Sequence, residues 1–232
     1  TVADSTCSSG RQPRVVCLVA TALESGDLPL DLPQFERFCS GYQTEAWLTI
    51  GELWALPTLL RASLLQTTCR SAEQASRLSL SDSQSDTMEE LTSLIAGCIT
   101  SLRNISSHQW QPFVERISCV DKFLRQDPVA LYASMEFETR DDYRNALERI
   151  ANSCDVQEWD IAGAALELAK SALKTGAPAR RHHVGYYLVD DGTAELLRYL
   201  GVRQSESVRL LKTCISRPDI SYVFSLLSGA AL

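Results

Sequence analysis

None of the eight cysteines stands in a Cys-x-x-Cys pair, which removes zinc-ribbon and thioredoxin-like sites from consideration. They lie singly at 7, 17, 39, 69, 98, 119, 154 and 214. Spread in this way through helically spaced segments, they read as small apolar core residues of a reducing compartment rather than a disulfide framework. Histidine is scarce, with three in 232 residues. Only His182 and His183 are neighbours, and adjacent residues of an extended segment point to opposite sides, so they make a poor chelating pair. His108 reads as a solvated first-turn residue. Basic residues number 22 against 29 acidic ones, a net charge of -7, so the basic surface that nucleic acid or an anionic membrane requires is missing. There is no phosphate-cradling glycine loop and no nucleophile elbow. No secretory leader is visible, and the apolar end from Ile220 to Leu232 is too short to span a bilayer. The chain opens on Thr1 rather than methionine, so it reads as an excised piece or a processed form.

What is present is helix. Hydrophobic residues make up 45% of the chain, and that length can bury a substantial core. The run Val15, Val16, Leu18, Val19, Ala22, Leu23 fits one helical face and closes at Gly26. Asp31-Leu-Pro33 starts a second helix lined by Phe35, Phe38 and Tyr42. Thr49 and Glu52 have capping-box spacing, and Leu53, Leu56, Leu60 and Leu64 then recur at three and four residues. Trp54 and these leucines are expected at the centre of the core, with Pro57 kinking a helix that runs to about residue 80. After a polar break at Ser81–Asp86, Asp86 with Glu89 opens a helix striped by Leu91, Leu94, Ile95, Cys98, Ile99 and Leu102. Ser106 with Gln109 opens the next, whose buried side runs from Trp110 through Phe113, Val114, Ile117 and Val120 to Leu124. Asp127-Pro128 reads as a cap with proline at the first helical position. Thr139 with Asp142, and Asp155 with Glu158, open two more.

One stretch breaks the pattern. Arg180, Arg181, His182 and His183 lead into Val184-Gly-Tyr-Tyr-Leu-Val189 and Asp190-Asp-Gly192, which reads as a short extended segment. Val184, Tyr186 and Leu188 would pin it to the helices. Arg180, Arg181, His182, His183, Tyr187, Asp190 and Asp191 form a candidate interaction surface, since loops on a rigid scaffold often carry function. The expected architecture is all-α: a multi-helix bundle or irregular array with one extended segment near 183–189. Residues 1–12 are a flexible lead-in, 13–216 one helical domain with helices near 193–200 and 205–215, and 217–232 an apolar end.

Three stretches in fixed order carry a resemblance. The first is Thr49–Arg61, with Thr49, Glu52, Leu53, Trp54, Pro57, Leu60 and Arg61. The second runs from Asp121 to Ala151, with Asp127-Pro128, Tyr132, and Met135-Glu-Phe-Glu-Thr-Arg-Asp-Asp-Tyr-Arg144, including Thr139, Arg140, Tyr143 and Arg144. The third is His183–Val189. Over roughly residues 40–200 the chain resembles the N-terminal region of cyclic β-1,2-glucan synthases, very large bacterial inner-membrane proteins. The resemblance implies a location on the cytoplasmic side of that membrane. It also implies that the glycosyltransferase domain, with UDP-glucose and a divalent metal, and the phosphorylase-like domain lie further along the parent chain. The expected partners are those remaining domains and the growing glucan, with no nucleic acid and no membrane span. The polar stretch Ala62–Arg70 and the abundance of cysteine depart from the family's pattern.

Catalytic groups are not apparent. There is no Asp-x-Asp to hold a nucleotide-sugar diphosphate through a metal, and no Gln-x-x-Arg-Trp. Glu52, Glu89, Asp142 and Glu158 fall at third positions of helices, where a carboxylate satisfies free amides and the helix dipole. The expected function is a non-catalytic helical scaffold without cofactor or metal. The alternatives are a stand-alone carbohydrate-active enzyme, with a carboxylate pair in a helical cleft, and a regulatory protein-binding domain.

Overall fold

The computed structural model describes residues 13–78 and 85–202. Among them every regular element is helical and there is no strand, so the fold is all-α. The lead-in at 1–12, most of the polar break, the helix near 205–215 and the apolar end at 217–232 lie outside the described residues. No helix among the described residues is long and apolar enough to cross a membrane. The chain divides into two compact units between Ile117 and Ser118.

The first unit holds α1 (Arg14–Ser25), α2 (Leu32–Glu45), α3 (Ile50–Leu78), α4 (Ser85–Ser107) and α5 (Trp110–Ile117). Its frame is α3 packed against α4. Leu53, Leu56 and Leu60 on α3 are wholly buried and Leu64 nearly so. They meet Val19, Phe35, Cys39, Cys98, Ile105, Phe113 and Ile117 in one apolar cluster. Each fully buried leucine contributes about 1.5–3 kcal/mol, against about 1 kcal/mol for a cap, so the leucine face dominates. Trp54 corrects the expectation of a central tryptophan: it is half-buried and packs against the cluster from its edge.

The capping box is realised. Glu52 N–H donates to Thr49 Oγ1 at 3.2 Å, and Thr49 N–H donates to Glu52 Oε2 at 2.8 Å. The same carboxylate receives a fork from Arg14, with Nε and Nη2 each at 2.7 Å, and Nη2 also reaches the Trp47 carbonyl at 2.7 Å. Elsewhere Ser101 Oγ accepts from Leu30 N–H at 2.8 Å and donates to the Gly97 carbonyl at 2.7 Å. The loop before α2 lies so close to α4 there that a Cβ on Gly97 would stand 2.8 Å from Leu28 Cβ.

The second unit holds α6 (Cys119–Leu124), α7 (Leu131–Ser134), α8 (Phe137–Cys154), α9 (Glu158–Lys174), a 3-10 turn (Ala179–His182), α10 (Val184–Val189) and α11 (Thr193–Tyr199). The centre is α9, which packs against α6, α8, α10, α11 and the 3-10 turn. Ala162, Ala165 and Ala169 are fully buried on it; their small side chains let the neighbouring helices approach. Ile150, Leu147, Val184, Leu188 and Leu196 fill the remaining core.

Several sequence expectations need correction. The segment at 183–189 is not extended but forms α10. Its buried residues are Val184, Gly185, Tyr187 and Leu188, a spacing of three and four rather than every second residue, and Tyr186 is only half-buried. Tertiary packing overrides the strand propensity of Val and Tyr. The helix expected from Trp110 to Leu124 is two helices, because Ser118 accepts from Asp121 N–H at 3.1 Å and starts α6 afresh. Ser106 opens nothing: its hydroxyl bonds back to the Leu102 carbonyl at 2.8 Å within α4. Thr139 lies inside α8, which begins at Phe137 after Glu136, and Asp155 ends that helix in the left-handed region at φ 52° rather than starting α9. His108 is not solvated but half-buried, edge-on to Trp110 and Phe113 at 5.1 and 6.0 Å.

Candidate functional site

Ionisable side chains converge in the second unit, on the short segments between α6 and α8 and at the start of α10. Asp127 is the hub. Its side chain has no exposed surface, and both oxygens are occupied. Oδ1 accepts from Val184 N–H at 3.1 Å. Oδ2 accepts from Leu131 N–H at 3.0 Å and Tyr132 N–H at 3.4 Å, and lies 2.8 Å from His183 Nδ1. One carboxylate therefore caps two helices, α7 and α10, whose free amides face it. Asp127-Pro128 was expected to cap a helix starting at once. Instead a turn intervenes, with Ala130 at φ 54°, and the carboxylate reaches α7 beyond it.

His183 continues the chain of contacts. Its Nδ1 faces Asp127, and its Nε2 lies within hydrogen-bond distance of the Tyr143 hydroxyl, at 3.3 Å. Gly185 makes this possible, since a Cβ there would stand 2.5 Å from Tyr143 Oη and 2.6 Å from His183 Nε2. Burial opposes the Asp127 charge, but the hydrogen bonds from His183, Val184 and Tyr132 outweigh it and hold the carboxyl below its ordinary 3.8. The Tyr143 phenol is pushed up, first by burial and then by the charges of Asp127 and Asp190.

Next to it is a buried ion pair. Arg144 and Asp121 have side-chain exposures of 1% and 0%, so neither can exchange its partner for water. Asp121 Oδ1 accepts from the Tyr132 hydroxyl at 2.7 Å and from Arg144 Nη1 at 3.1 Å, and Oδ2 accepts from Arg125 Nε. Arg144 also donates to Asp141 from Nε at 3.3 Å and Nη2 at 3.1 Å, and its guanidinium lies 4.9 Å from the Phe137 ring centroid. Burial, then the neighbouring Asp121 charge, drives the Tyr132 phenol far up. Taking two ions out of water costs about as much as their attraction returns. The pair therefore sets how α6, α7 and α8 fit together more than it adds stability.

The candidate interaction surface divides in two. His183 and Tyr187 are buried; the Tyr187 hydroxyl points to the Leu168 carbonyl at 3.4 Å. Arg180, Arg181, Asp190 and Asp191 are solvent-facing to differing degrees and already paired. Arg180 Nη2 reaches Asp191 at 2.8 Å and Asp190 at 3.3 Å, while Arg181 pairs with Glu195. Both guanidinium groups cover the Tyr186 ring, at 5.0 and 5.9 Å from its centroid. Two buried nitrogens here, Arg181 Nε and His182 Nε2, have no hydrogen-bond partner among the described residues.

Residues from the second and third resembling stretches are thus brought together: Tyr132, Tyr143 and Arg144 with His183, around Asp127. Thr139 is exposed on α8, and Arg140 bonds the Met135 carbonyl next to its own helix start. Thr49, Glu52, Leu53, Trp54, Pro57, Leu60 and Arg61 belong to the first unit. Asp121, Asp141 and Arg125 were missed by sequence reasoning. Ser118-x-x-Asp121 is itself a start signal that points to Asp121, whereas nothing local marks the other two. Chemically, the cluster binds its own backbone and its own charges. Glycoside hydrolysis needs two carboxyls facing each other across a sugar, and Asp121 and Asp127 are each enclosed by their own partners. Among the described residues no group of His, Cys, Asp and Glu is arranged to hold a metal.

The chain matches no family model. It is similar to the cyclic beta-(1,2)-glucan synthase NdvB of Rhizobium meliloti (strain 1021), with 29% identity over 122 residues, 51% of this chain. The match covers 4% of the length of that relative.

Proposed function

We propose that this chain is a non-catalytic helical scaffold within a protein related to cyclic β-1,2-glucan synthases. It sits on the cytoplasmic side of a bacterial inner membrane and supports glucan synthesis performed by other domains, where UDP-glucose and a divalent metal are used. The observation that carries this reading is the use made of the resembling residues. Asp127, Tyr132, Tyr143 and Arg144 come from the second stretch and His183 from the third, and with Asp121 they close on one another and on helix amides in the second unit. Such residues serve shape, and the similarity to the synthase of Rhizobium meliloti supports a place for that shape in a related protein.

The partners in this reading are the remaining domains of the same protein and the growing glucan. The face turned to them carries Arg180, Arg181, His182, Asp190 and Asp191. The test begins with the purified chain, incubated separately with UDP-glucose and with β-1,2-glucan. Both should be recovered intact. Turnover abolished by a single Asp or Glu substitution would instead make the chain a carbohydrate-active enzyme.

A further inference from the structure

We draw no further inference here: the strongest candidate, the shallow apolar groove that Met88, Thr92, Ser93 and Ala96 open along α4, carries nothing because nothing in the structure shows what covers it.

Discussion

Arg144 is the residue whose loss should be felt most. Truncating it strands the Asp121 carboxylate at 0% side-chain exposure, with only the Tyr132 hydroxyl and Arg125 left to answer its charge. Removing one partner of a buried pair costs about 3–5 kcal/mol, so Arg144→Ala should lower the stability of the second unit by that amount in chemical denaturation. Asp127 gives a pH-dependent counterpart. Its folded pKa is depressed, so its contribution is complete above the unfolded value and is lost as pH falls through the folded one. Asp127→Asn should therefore be destabilising at pH 7, and its difference from wild type should shrink from about pH 4 downward. A difference independent of pH between 7 and 2 would contradict the charge-based account of this cap. The buried pairing of Arg144 was not legible beforehand, and Asp127 was legible only as the cap of a helix starting at once. Charged residues are read as solvent-facing because they almost always are, and the partner that makes burial tolerable lies 23 residues away for Asp121 and 56 for Asp127.

Among the elements, α10 shows why local pattern misled and what corrects it. Val, Tyr and Tyr favour strands, and a six-residue helix has little stability of its own. It forms because Asp127 caps Val184 and because Val184, Tyr187 and Leu188 fall on one face against α8 and α9. The spacing was visible in the sequence; the distant cap was not. The leucines of α3 were readable for the opposite reason, since their periodicity persists over several turns and the capping box is local. A pair of glycines tests the packing of α10. Ordinarily Gly→Ala within a helix stabilises by about 0.5–1 kcal/mol. Gly163→Ala on α9, with nothing within 4 Å of the new Cβ, should show that gain in urea unfolding. Gly185→Ala should instead destabilise by about 1–3 kcal/mol, the usual result of overpacking, because the Cβ drives into Tyr143 and His183. Equal effects at the two sites would mean that the Asp127–His183–Tyr143 contacts are not formed.

At the scale of the whole molecule, the described helices form two compact units, each with a core of its own. Of the candidate surface, His183 and Tyr187 are enclosed in the second unit, and Arg180, Arg181, Asp190 and Asp191 are paired on its surface. On the proposed reading, the most direct test is UDP-glucose-dependent glucan formation by a parent synthase that contains this chain and carries Asp121→Leu, Tyr132→Phe and Arg144→Met together. These changes remove the buried charges and the hydroxyl while keeping apolar bulk, an exchange that packed interiors often accept. A scaffold predicts glucan formation equal to wild type per folded molecule, with helix content unchanged by circular dichroism. Loss of glucan formation from a variant whose near-UV circular dichroism and unfolding midpoint also match wild type would show that these groups do more than hold α6, α7 and α8 together, and would contradict the account.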